Sequence, residues 1–191
     1  MKSFVKSSLA ATALSLCALG SFAGTIDNSS INASNVSNRA LGLGSSALQN
    51  IGVAEGNGVI RNSTVTVNGA RNTSAGLGAS ARQHLGYASG NGRIENSSVR
   101  VQNATNTAAG LGSSATQKVG FATGNGRVQN STIRATNVSN VAAGLGSSAS
   151  QSIGGAENNG VLRNSTVVAN GASNTSGGLG TSATQRIGVA R

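Results

Sequence analysis

The sequence predicts an all-β protein: a β-solenoid of five 34-residue repeats with stacked Gln, Asn, Ser and aliphatic ladders. Three observations lead there. Asn-Ser recurs at Asn28, Asn62, Asn96, Asn130 and Asn164, in equal steps without insertion or deletion. Polar and apolar residues alternate with period two after that pair, as in Asn96-Ser97-Ser98-Val99-Arg100-Val101. Asn-Gly turn signals punctuate the copies at Asn57-Gly58, Asn91-Gly92, Asn125-Gly126 and Asn159-Gly160.

Composition excludes the common alternatives. Aromatic residues are 2% and charged residues 9% of the 191, with 28 Gly and no Pro or Trp. An ordinary mixed core lacks its bulky anchors here, and a disordered chain would carry more charge or Pro. A helical repeat of the same period fails because each copy carries at least five Gly beside many Asn, Ser and Thr, all poor in helix interiors.

The elements follow in chain order. Residues 1–23 read as a secretory signal peptide: Lys2 and Lys6, an apolar stretch Leu9–Leu19, then Ser21-Phe22-Ala23 with small residues where a signal peptidase reads. The apolar stretch is shorter than the roughly 20 residues that span a bilayer, so no membrane span is expected. Cys17, the only cysteine, would leave with this segment, so no disulfide, thiol nucleophile or Cys metal site is expected in residues 24–191. That repeat domain keeps 12 basic residues against four acidic ones, a net charge of about +8 with His84 neutral.

Columns of the repeat are numbered from the Asn of Asn-Ser. Eleven columns hold one residue type in all five copies; in the third copy they are Asn96, Ser97, Asn106, Gly110, Leu111, Gly112, Ser114, Ala115, Gln117, Gly120 and Ala122. The first strand covers columns 1–6, with Ile31, Val65, Val99, Ile133 and Val167 in column 4. The second covers columns 20–24, where Ala115, Gln117 and Val119 share one face. After the Asn-Gly turn a short strand carries Ile60, Ile94, Val128 and Leu162 in column 33.

The alternation turns Gln49, Gln83, Gln117, Gln151 and Gln185 inward, where stacked amides can satisfy one another along the ladder. Ser and Asn columns either do likewise or form corners. Matching Ser in columns 2 and 19 suggests two coils per repeat, each half a period long, whereas the strand parity of the halves suggests a single coil per repeat.

Basic residues occupy variable columns: Arg100 and Arg134 in column 5, Arg93 and Arg127 in column 32, Arg61 and Arg163 in column 34. His84, Lys118 and Arg186 share column 23. These columns are expected to face solvent, either as a soluble outer face or as a stripe for anionic polysaccharide or lipopolysaccharide. No aromatics interleave with the Arg, so no specific nucleic-acid binding is expected. One His, one Asp and no paired glutamates within a copy supply neither a triad nor a glycosidase pair, so neither enzyme activity nor a cofactor is expected. An ice-binding array would need a regular Thr face, but Thr64, Thr132 and Thr166 alternate with Ser30 and Ser98 in column 3.

The run Asn96-Ser97-Ser98-Val99-Arg100-Val101 followed by Gly110-Leu111-Gly112-Ser113-Ser114-Ala115-Thr116-Gln117 resembles curlin-type amyloid repeats, although those repeats are shorter. Ala109 to Ala115 is similar to head repeats of trimeric bacterial adhesins, without their stalk or membrane barrel. The first resemblance implies a secreted subunit of an amyloid-like biofilm fibre; either one implies a place outside a bacterial cell.

Cleavage after Ala23 would start the chain at Gly24-Thr25-Ile26-Asp27, which matches columns 31–34, and the chain reaches column 28 at Arg191. Only columns 29 and 30 are then missing from five full periods, so head-to-tail stacking would continue the pattern across a short gap. The expected function is therefore a non-enzymatic structural subunit polymerising through ends that carry Gly24, Ile26, Ile187 and Val189. A monomeric adhesin using the Arg columns is the alternative, and an ice-binding solenoid the third.

Overall fold

A computed structural model describes residues 24–191; the expected signal peptide, Cys17 included, lies outside the described residues. The described chain winds into stacked rungs of parallel strands. Strand β1 is Ile26–Asp27, and the first full rung carries β2 (Ser30–Ser34), β3 (Ser37–Leu41) and β4 (Ser46–Ile51). The second opens with the short β5 (Ile60–Arg61) and carries β6 (Thr64–Asn68), β7 (Arg71–Ala75) and β8 (Ser80–Leu85). The third carries β9 (Ser98–Gln102), β10 (Thr105–Ala109) and β11 (Ser114–Gly120). In the fourth and fifth the first two strands run together, as β12 (Thr132–Ala143) and β14 (Thr166–Gly177), followed by β13 (Ser148–Gly154) and β15 (Ser182–Ile187).

Every strand pairs in parallel with its counterpart one repeat further along the chain: Ile26 with Ile60, Val65 with Val99, Asn106 with Asn140, Gln117 with Gln151. One coil is therefore one whole repeat, and the alternative of two coils per repeat is excluded. Rungs rise about 4.8 Å each. The three strands of a coil are columns 3–7, 10–14 and 19–24, so columns 10–14 form a strand that the expected strand–turn–strand–turn–short strand pattern did not contain. Its period-two signal is weak, because its inward residues are a polar Asn and a small Ala or Ser.

Corners are made where an L residue rarely goes unless it is Asn. Column 1 turns at Asn62 (φ 50°), Asn96 (φ 49°) and Asn130 (φ 50°). Glycine makes the sharper corner of columns 15–17. In the third copy Gly110 has φ 128° and Gly112 φ 65°, and a Cβ on Gly110 would run into the carbonyl oxygen of Gly76 one rung below.

The core divides into two compartments. The wide end holds aliphatic ladders, among them Val65, Val99 and Ile133 of column 4, Leu85, Val119 and Ile153 of column 24, and Ile60, Ile94 and Val128 of column 33. The narrow end, toward the Gly-Leu-Gly corner, holds only small side chains: Ala81, Ala108, Ala115, Ala142 and Ala149, with buried Ser74, Ser113 and Ser147 beside them. Two facing strands can approach closely there because their inward side chains are no larger than Ala or Ser. No described helix is long and apolar enough to cross a membrane.

Candidate functional site

Between the two compartments run two amide ladders. Gln83, Gln117 and Gln151 are fully buried and Gln49 is nearly so. Gln83 Nε2 donates to Gln49 Oε1 at 2.6 Å, Gln117 Nε2 to Gln83 Oε1 at 2.6 Å, Gln151 Nε2 to Gln117 Oε1 at 2.7 Å, and Gln185 Nε2 to Gln151 Oε1 at 2.8 Å. This ladder donates toward the N-terminal rung. Opposite it stand the column-11 asparagines, which donate the other way: Asn38 Nδ2 to Asn72 Oδ1 at 2.9 Å, then Asn72 to Asn106, Asn106 to Asn140 and Asn140 to Asn174 at 2.8 Å each. Asn106 Nδ2 also reaches across the core to the carbonyls of Ala81 and Thr116, both at 3.0 Å. The Asn ladder thus ties the two facing sheets together where no large apolar side chain fits between them.

A serine ladder lines the column-1 corner. Ser97 Oγ donates to the Glu95 carbonyl at 2.7 Å and accepts from the Ser63 amide at 3.2 Å, and Ser131 repeats both bonds one rung on. Each buried hydroxyl is satisfied twice, which removes the penalty of burying it.

At both ends of the described residues these ladders stop. Asn38 Oδ1 and Gln185 Oε1 accept no ladder bond, and Asn174 Nδ2, which donates to the Ala149 and Thr184 carbonyls at 3.1 and 2.7 Å, has no further Asn to donate to. Gln49 Nε2 has only carbonyls at 3.4 Å. The last rung is uncovered: Ile187 is 54% exposed, whereas Leu85, Val119 and Ile153 below it in the column are fully buried. Gly24 and Ile26 lie half-buried on the first rung, and Val189 half-buried on the last.

The six arginines fall in three columns with different surroundings. Arg100 and Arg134 are exposed neighbours on adjacent rungs of one strand column. Arg93 and Arg127 flank a groove whose other wall is the exposed ladder Asn57, Asn91, Asn125 and Asn159, each Nδ2 bonded to the next Oδ1 at 2.7–2.8 Å. Arg61 is engaged by Asp27 in an ion pair at 2.8 Å, and the Arg61 guanidinium holds the Asp27 carboxyl below its usual range. Arg163, exposed, closes the same column as Asp27, Glu95 and Gln129.

Column 23 does not face open solvent as expected. After the left-handed glycine of column 25 the chain folds back, placing column 26 against it. His84 stacks on Tyr87 with ring centroids 4.3 Å apart, Lys118 Nζ lies 4.4 Å over the Phe121 ring and 3.3 Å from Glu157 Oε1, and Ser152 is buried. Burial, with Lys118 and Arg82 nearby, pushes the His84 imidazole down to about 4, and its Nδ1 is buried without a hydrogen-bond partner. Local alternation cannot reveal a loop that returns over the outer face of its own strand.

Column 16, invariant in the sequence but given no role there, is the other exposed feature. Leu43, Leu77, Leu111, Leu145 and Leu179 stack as an exposed ridge, the interior three 48–50% exposed. The signal was present in the invariant Gly on each side, because a residue between two left-handed glycines stands at the tip of a corner. Comparison of the chain with family models, curated proteins and solved structures finds no match.

Proposed function

We propose that the protein is an exported, non-enzymatic structural subunit that polymerises end to end into a cross-β fibre outside a bacterial cell. The observation that carries this reading is the opposed polarity of the two amide ladders at the first and last rungs of the described residues. Stacking a last rung on a first rung lets Asn174 Nδ2 donate to Asn38 Oδ1 of the next copy, while that copy's Gln49 Nε2 donates to Gln185 Oε1. Head-to-head or tail-to-tail stacking with like columns superposed would oppose donor to donor in one ladder and acceptor to acceptor in the other. The contact is heterologous and does not close, and such contacts build filaments. Unpaired strand edges with stacked Gln and Asn favour the same outcome. The lysines and apolar stretch at the N-terminus support export.

The test is assembly of the chain from Gly24 to Arg191 at high concentration, followed by light scattering, electron microscopy and fibre diffraction. Filaments with a meridional spacing of about 4.8 Å are expected. Ile187→Lys places a charge in the junction and should leave monomers; Thr184→Lys, outward on the same strand, should still form filaments. Stable monomers of the unaltered chain, or filaments indifferent to Ile187→Lys, would refute the reading.

A second reading, binding of anionic polysaccharide, is favoured by the groove that Arg93 and Arg127 share with the Asn ladder. Changing Arg93, Arg100, Arg127 and Arg134 together to Ser should abolish salt-dependent retention on a heparin-like column and leave the circular dichroism unchanged. Unchanged retention would assign these arginines to solubility alone.

A further inference from the structure

The Leu ridge of column 16 lies outside both compartments of the core. Its side chains project from the Gly-Leu-Gly corner into solvent, and together with the flanking glycines they line one long apolar surface down the edge of the molecule. Four features of this edge select its partner.

The first is charge. The described chain carries about +8, so two copies repel each other over most of their surface. From column 13 to column 20 no copy holds a charged residue; the five stretches are residues 40–47, 74–81, 108–115, 142–149 and 176–183. A like-charged copy can approach along this edge with the least repulsion.

The second is period. The leucines repeat once per rung, about 4.8 Å apart. A second ridge of the same chain has the same period, so each Leu falls between two of the other when the copies are offset by half a rung, about 2.4 Å. A partner of different repeat would lose register within a few rungs.

The third is shape. A Cβ built on Gly44, Gly112 or Gly146 meets nothing within 4 Å, so the notches on the column-17 side of the ridge are open, whereas a Cβ on Gly76, Gly110 or Gly144 on the other side meets a carbonyl of the rung below. The open notches are the holes that a facing Leu would enter, giving the dry interdigitated seam of paired β sheets.

The fourth is area. A half-exposed Leu offers on the order of 100 Å² of apolar surface, so five offer on the order of 500 Å². That matches the largest apolar patches on soluble monomers but falls short of the ~800 Å² per partner of a standard interface. Pairing of single copies is therefore weak, and it strengthens with every rung added along the axis.

We infer that the Gly-Leu-Gly edge is a lateral interface for a second copy of this chain, ridge against ridge. Side-by-side pairing does not require end-to-end growth, although growth multiplies it.

The experiment uses the full chain with Cys17→Ser, so that one introduced thiol is the only one. Leu111→Cys places it on the ridge, and Arg134→Cys places it on the basic face at an exposed position. Under mild oxidation the Leu111→Cys chain should form disulfide-linked dimers at least ten-fold faster than the Arg134→Cys chain. In parallel, Leu77→Lys, Leu111→Lys and Leu145→Lys combined should abolish concentration-dependent dimers in sedimentation, halve the width of any filament and leave circular dichroism unchanged. Equal cross-linking at the two positions overturns the inference. So does flotation of the monomeric chain with phosphatidylglycerol–phosphatidylethanolamine vesicles that the triple variant loses, because the ridge would then serve a lipid surface. Single-width filaments without preferential cross-linking retain end-to-end growth and reject lateral pairing; selective cross-linking without filaments does the reverse.

Discussion

Replacing Gln117 by Leu tests whether the inward amide ladder holds the solenoid together. Leucine is close in size, so it leaves no large cavity and the change isolates the amide. Two bonds disappear: the one Gln117 donates to Gln83 Oε1 at 2.6 Å and the one it accepts from Gln151 Nε2 at 2.7 Å. Gln83 Oε1 is then left without its donor, and Gln151 Nε2 keeps only the Val138 carbonyl at 3.4 Å. Both groups belong to fully buried side chains, so water cannot replace the partner. Each of the two unsatisfied groups costs about 1–3 kcal/mol, and the extra apolar burial of Leu returns about 1 kcal/mol, for a net loss of about 1–5 kcal/mol. In a solenoid this loss is concentrated at the rungs on either side, which should uncouple before the rest. The comparison is Thr116→Leu, next along the same strand but facing outward; its column already accepts Leu48 at 55% exposure. Chemical denaturation followed by circular dichroism should show a clear fall in midpoint for Gln117→Leu and almost none for Thr116→Leu. Equal shifts for the two would refute the argument that the buried amide ladder, rather than general strand packing, carries this part of the stability.

His84 is neutral in the fold because burial holds its pKa at about 4, against about 6.5 when unfolded. The unfolded chain therefore binds the proton first, so this contribution is fully present above pH 6.5 and is lost as pH falls toward 4. Allowing for solvent at the ring edge, denaturation across that range should lose roughly 1–2 kcal/mol, and His84→Asn, the residue its column carries at Asn50, should flatten the dependence. Gly110→Ala should disrupt folding severely, because its Cβ meets the Gly76 carbonyl oxygen. Gly112→Ala, at φ 65° in open space, should cost only about 1–2 kcal/mol from the left-handed backbone. Thermal melts of the two variants check the contrast, and equal losses would show that rung-to-rung backbone approach is not the constraint at column 15.

The repeat alone determined the coarse result. Columns that hold one residue type in every copy favour stacking of like on like, so Asn28 to Asn164 at equal steps already pointed to parallel rungs, while one coil per repeat rather than two was decided by the pairing of Gln117 with Gln151. Period two then placed Gln117 beside Ala115 and Val119 on one face, because side chains on a strand alternate whatever lies around them. Three further things depended on the third dimension. The strand over columns 10–14 exists because Asn106 finds the Ala81 and Thr116 carbonyls across the core, partners from distant columns that no local pattern reveals. Column 23 is covered because the chain turns back at a left-handed glycine and lays Tyr87 and Phe121 over the outer face. The column-16 leucines face outward because the corner is tight enough to admit only Ala or Ser inside it. An apolar residue in an invariant column looks like core in a one-dimensional reading; whether it fills the interior or crowns an edge is set by how sharply the backbone bends beneath it.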